Sequence, residues 1–178
     1  MGIYEFKGKS PHIDDSCFIA PSADIIGDVT IGAGSSVWFN VTIRGDMAPI
    51  TIGENVSIQD NSMVHVDIGI PTVIGNHVTV GHAAIIHAAV IEDNCLIGMG
   101  AVLLDEARIG QGSLVGAGAL VPPRKNIPPR SQVMGRPCVI TKQLDEQAEQ
   151  AFIAGALRYA RTGGEYLCGR NCQMENNK

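Results

Sequence analysis

Branched aliphatic residues recur along this chain at intervals of six. Ile13, Ile19, Ile25, Ile31, Val37 and Ile43 form one run, and Ile52, Ile58 and Val64 a second. Ile74, Val80 and Ile86 form a third, and Ile91, Ile97, Leu103, Ile109, Val115 and Val121 a fourth. Glycine often follows directly, as in Ile31-Gly32, Ile52-Gly53 and Ile97-Gly98. A period of six matches neither the 3.6 of an α-helix nor the two-fold alternation of long strands. It fits very short strands joined by tight corners, three hexads to a coil, with each coil hydrogen-bonded to the next. Composition agrees. Hydrophobic residues make up 45 % of the chain but aromatics only 4 %, and there are 21 glycines. Such a chain fills a narrow core with Ile, Val, Leu and Ala and relieves its corners with glycine.

The phase slips at three places. Ile43 to Ile52 and Val64 to Ile74 are too long for one hexad, and Ile86 to Ile91 is one residue short. Pro49 and Pro71 lie in the two insertions, as expected for excursions from a ladder that needs N–H donors. The repeat predicts a β-helix domain over 8–125, followed by a Pro-rich connector over 126–140. Residues 141–162 read as a helix capped by Thr141 and stopped by Gly163-Gly164, leaving a polar tail over 163–178. Gly110-x-Gly112 and Gly116-x-Gly118 sit inside the ladder and read as corner glycines rather than a dinucleotide loop.

The net charge of -5 and the lack of a basic block argue against nucleic acid as a partner. No apolar run is long enough to span a membrane. Five cysteines without a framework pattern point to a reducing, cytoplasmic setting. Cys95 and Cys138 read as small buried hydrophobes, and Cys168 and Cys172 fall in the expected polar tail.

The period also places the histidines. His65 follows Val64 and His87 follows Ile86, three hexads later. They therefore occupy the same corner position one coil apart, spaced by the roughly 4.8 Å of paired strands. Arg44 follows Ile43 and stacks under His65, with Asp46 close by. His82 is two places after Val80, on another side of the triangle, above Asp60, with Gln59 beside them. Three neutral imidazoles with an open fourth position are a catalytic zinc set, though Fe2+ or Co2+ also suits imidazole. Such an ion would bring the pKa of bound water to near 7. His82 would meet the pair only if identical prisms pack about a symmetry axis, which predicts a homotrimer with three equivalent intersubunit sites. The alternative is that these are ordinary corner residues, as expected for His12 and His77.

Arg44-Gly45-Asp46, then Ser57-Ile58-Gln59-Asp60-Asn61-Ser62-Met63-Val64-His65, then Val80-Gly81-His82-Ala83-Ala84-Ile85-Ile86-His87 resemble the gamma-class carbonic anhydrases. The short bacterial members, which include phenylacetic acid degradation and carnitine-operon proteins, are the nearest subgroup. The resemblance implies an all-β, left-handed parallel β-helix with a C-terminal helix, assembled as a homotrimer. It implies metal ligands at His65 and His87 of one chain and His82 of the next. It implies an Arg44–Asp46 salt link, orientation of water and bicarbonate by Gln59 with Asp60 nearby, and a substrate hydrogen bond from Tyr159. The implied reaction is reversible hydration of CO2 to bicarbonate by a metal-bound hydroxide. Met47 follows Asp46, and 66–72 contains only Asp67, so the carboxylates that shuttle protons in archetypal members are absent. That implies slow or buffer-dependent turnover. It keeps open a metal-dependent acyl-CoA thioesterase or other hydrolase, a CoA-dependent acyltransferase, and a non-catalytic metal-stabilised trimer.

Overall fold

The structure, a computed structural model, describes residues 2–175. It is a parallel β-solenoid of about 7 turns with one C-terminal helix. Three ladders run its length. The first pairs Ile3, Ile25, Ile43, Val64, Ile86, Leu103 and Val121. The second pairs Ile13, Ile31, Ile52, Ile74, Ile91, Ile109 and Ile127. The third pairs Ile19, Val37, Ile58, Val80, Ile97, Val115 and Val133. Between Ile25 and Val133 these ladder residues are at most 2 % exposed. Burying each one contributes roughly 1.5–3 kcal/mol relative to leaving it in water.

Glycine serves this ladder in two ways, at left-handed corners such as Gly34 and Gly100, as expected, and where coils stack closely. Asparagines take several of the left-handed corners: Asn40, Asn55, Asn61 and Asn94 have φ of 58°, 54°, 61° and 62°. Asn tolerates this region because its short side chain bonds locally. The glycine after a branched residue answers to close stacking instead. A Cβ on Gly32 would lie 2.8 Å from the Gly53 carbonyl carbon of the next coil. Gly112 and Gly118, with φ of +67° and +66°, are corner glycines as read from the sequence.

The first insertion is absorbed without leaving the sheet. Strand Thr42–Ile52 runs through Pro49, and its register against Asp24–Ile31 shifts between Gly27 and Val29. The second insertion turns back on itself, with Asp67 and Ile70 bridged across it.

The repeat does not end at Val121. Ile127 and Val133 continue the second and third ladders, so 126–140 is one more coil rather than a connector. Pro122, Pro123, Pro128 and Pro129 sit at corners, outside the paired strands. There a missing N–H costs the ladder nothing. The solenoid is then closed by an antiparallel hairpin between Ser131–Met134 and Val139–Gln143.

Thr141 lies in that hairpin and caps nothing. The helix spans Glu146–Glu175, and Asp145 caps it by accepting a hydrogen bond from the Ala148 N–H at 2.9 Å. It passes through Gly163-Gly164 without stopping, so most of the expected tail is helical. Gly163 lets the helix approach the solenoid: an added Cβ would lie 3.1 Å from Phe18 Cβ and 3.3 Å from Ser36 Cβ. Around that contact Phe18 and Trp38 pack against Tyr166, with ring centroids 5.0 and 5.4 Å away. At the other end Glu149, 4 % exposed, accepts hydrogen bonds from Gln111 Nε2 at 2.7 Å, Asn94 Nδ2 at 2.9 Å and Arg130 Nε at 2.8 Å. Hydrogen bonds from Gln111 and Asn94, together with the Arg130 charge, outweigh burial and hold this carboxyl below the usual range. Among the described residues, no helix is long and apolar enough to cross a membrane. Cys95 and Cys138 are buried and Cys168 is exposed. The Cys172 side chain lies outside the described residues.

Candidate metal centre

Two groups of polar side chains sit on different edges of the prism. On the first edge, Arg44, His65 and His87 are register partners in three successive coils. The His65 and His87 ring centroids are 5.1 Å apart at an interplanar angle of 59°. Asp46 joins them, with one carboxylate oxygen 3.0 Å from His65 Nε2 and the other bonded to Arg44 Nη1. Burial works against the Asp46 charge. The hydrogen bonds from His65 and Arg44 and the guanidinium charge overcome it, and the carboxyl stays below its ordinary range. His65 is 8 % exposed, and its carbonyl accepts a hydrogen bond from Thr72 Oγ1. The chain is thereby pinned on the far side of the second insertion.

On the second edge, His82 Nδ1 lies 3.0 Å from Asp60 Oδ2. Gln59, 3 % exposed, pairs through its backbone with the coil of Val80. Tyr159 comes from the helix, and its ring meets Trp38 edge-on at 6.0 Å. Gln59 and Tyr159 line one pocket of about 430 Å3 between the solenoid face and the helix. The fold therefore gathers Arg44, Asp46, His65 and His87 on one side, and Gln59, Asp60, His82 and Tyr159 on another. Among the described residues, no three His, Cys, Asp or Glu side chains of the single chain close on one point.

One member was not anticipated. Asp105 Oδ1 is hydrogen-bonded to His87 Nδ1 at 2.5 Å. It lies two places after Leu103, the ladder partner of Ile86. One coil upward from His87 is Leu104, and Asp105 stands one place beyond it.

The donor chemistry suits a borderline divalent ion. Two imidazoles share an edge at a spacing compatible with one ion. His82 and His87 each have Nδ1 held by a carboxylate, the arrangement that fixes the tautomer and leaves Nε2 for a metal. On His65 the engaged nitrogen is Nε2.

The sequence matches the bacterial transferase hexapeptide (six repeats) family at residues 10–45 and 88–123. It is 51 % identical over 144 residues to a carbonic anhydrase of Geobacillus kaustophilus, covering 81 % of this chain and 79 % of that one. The chain belongs to the gamma-class carbonic anhydrases. Within that class it is 48 % identical over 143 residues to a "Probable carbonic anhydrase" of Methanocaldococcus jannaschii, covering 80 % of this chain and 90 % of that one. Among solved structures, a hexapeptide transferase family protein from Anaplasma phagocytophilum superposes with a TM-score of 0.89 at 36 % identity. The match covers 93 % of this chain and 98 % of that one. The gamma-class carbonic anhydrase fold is thus shared with proteins that carry a transferase name, and the side chains must separate the two chemistries.

Proposed function

We propose that this gamma-class carbonic anhydrase hydrates CO2 reversibly to bicarbonate at metal sites shared between chains of a homotrimer. The observation that carries the reading is the division of the histidines: His65 and His87 in one column, His82 in another, each touching its own carboxylate. Such a division is completed when one edge of a prism meets the other edge of an identical prism about a three-fold axis. His65 and His87 of one chain and His82 of the next would hold the ion, Zn2+ first, with Fe2+ or Co2+ compatible. When bound, such an ion supplies the Lewis acidity that makes water a nucleophile near neutral pH.

The chain's own residues do the rest. Asp105 and Asp60 orient His87 and His82. Arg44 holds Asp46 against His65. The Gln59 amide orients the attacking and product oxygens, and the Tyr159 hydroxyl hydrogen-bonds the substrate. A proton must then leave, and Met47 and the short hairpin around Asp67 offer no relay of carboxylates. Turnover therefore depends on buffer. An acyl transfer reading is disfavoured because such enzymes use a single general-base histidine, whereas here three histidines are each fixed by a carboxylate.

Metal analysis of the purified protein tests the site. One ion per chain is expected, lost in both His65→Ala and His82→Ala. A fully occupied site in His82→Ala sinks the shared-ligand model. Mixing the two variants should restore a fraction of intact sites. Stopped-flow hydration assays should then show a metal-dependent rate that rises with imidazole buffer concentration.

A further inference from the structure

The pocket beneath the helix is larger than CO2 hydration requires. It measures about 430 Å3, whereas a triatomic gas needs room on the order of one or two waters, about 30 Å3 each. Its size and its walls are those of a site for a small organic ligand. Leu96, Ile97 and Met99 line it from the solenoid, and Phe152 lines it from the helix.

Four polar side chains meet this apolar space: Gln59, Thr79, Tyr159 and Arg158. Gln59 is 3 % exposed, and its side-chain amide makes no hydrogen bond among the described residues. Yet among the described residues no side-chain nitrogen or oxygen fully sealed from solvent lacks a partner. The amide therefore opens onto the pocket. Arg158 forms no ion pair among the described residues, whereas Arg44, Arg108, Arg124 and Arg130 all do. Among the described residues, no lysine and no second arginine lines the space, so a polyphosphate-bearing ligand would lack counter-charge. A single carboxylate matches a lone guanidinium fork and an amide.

We propose that this pocket binds an organic monocarboxylate with an apolar body, on the order of six to ten heavy atoms. The carboxylate is taken by Arg158 and the pocket's polar groups, and the apolar body lies against Leu96, Met99 and Phe152. The proposal shares Gln59 and Tyr159 with the hydration reading but needs no metal. Occupancy would cover Gln59 and inhibit hydration.

Calorimetric titration of the full chain with hexanoate, benzoate, acetate and hexanol tests this, on protein as purified and after chelator treatment. Hexanoate and benzoate should bind at one site per chain, with acetate and hexanol at least tenfold weaker. Arg158→Gln should weaken hexanoate tenfold or more and leave hexanol unchanged. A Cβ on Gly155 meets nothing within 4 Å, so Gly155→Leu should fill the space and abolish hexanoate binding with the circular dichroism spectrum intact. Hexanoate binding that survives in metal-free His82→Ala supports the pocket even if the hydration reading fails. Binding that is lost with the metal would mean the carboxylate is a metal ligand, and overturns the proposal. Equal affinity for acetate, equal affinity for hexanol, or parental affinity in Arg158→Gln also overturns it.

Discussion

Asp105 shows what a side chain outside the proposed ligand set can contribute. Its bond to His87 Nδ1 fixes one ring nitrogen and leaves the other for coordination. Asp105→Asn should lower zinc affinity by about 10–100-fold, read by chelator competition. An unchanged affinity would mean the bond plays no part in metal binding. Glu149 acts on stability instead. Removing its charge should cost about 1–3 kcal/mol, so Glu149→Gln should unfold at a lower temperature at pH 7. Its folded pKa is depressed, so the stabilisation is present above the unfolded value of about 4.3. It is lost as pH falls through the folded value. The parent and the variant should therefore converge in acid. Most of these contacts were legible by counting: the columns of Arg44, His65 and His87 and of Asp60 and His82 follow from the period alone. Asp105 does not follow from the period, because the position stacked over His87 is Leu104 and Asp105 lies one place beyond it. The Glu149 cluster joins residues far apart in sequence, and no local pattern announces it.

At the level of elements, the helix and the last coil both departed from their local sequence signals, the helix through a tertiary contact and the coil through the placement of its corners. Gly163-Gly164 reads as a stop because glycine is a poor helix former. In the fold Gly163 is where the helix presses on Phe18 and Ser36. The two glycines should therefore respond differently. Gly164, whose added Cβ meets nothing within 4 Å, should gain about 0.5–1 kcal/mol on mutation to Ala. Gly163→Val should lose about 1–3 kcal/mol through overpacking. Chemical denaturation of both variants checks the contrast, with Trp38 fluorescence as a probe because its ring lies against Tyr159 and Tyr166. The four prolines after Val121 misled in the complementary way. They interrupt a strand pattern but not a solenoid, whose corners accept them while Ile127 and Val133 keep the six-residue phase.

Across the whole molecule, the solenoid converts sequence distance into position. Three hexads return the chain to the same edge one coil higher, so residues far apart in sequence form one column. This is why the two columns of the candidate site are legible in the sequence. It is also why a single chain separates His82 from His65 and His87: they belong to different edges, which the proposed trimer would bring together.

The hairpin bridged by Asp67 and Ile70 has a practical consequence. It leaves the ladder after His65 and rejoins it at Thr72, which is itself bonded to the His65 carbonyl. Its length is therefore uncoupled from the coil count. Ile68 is 79 % exposed at its tip, and a Cβ on Gly69 would touch nothing. Lengthening a loop costs only about 0.6 kcal/mol per doubling. A short epitope or fluorophore-acceptor peptide inserted between Ile68 and Gly69 should leave metal content and secondary structure unchanged, as metal analysis and circular dichroism would show. Each copy of the prism would then carry its cargo at a fixed height beside its own histidine column.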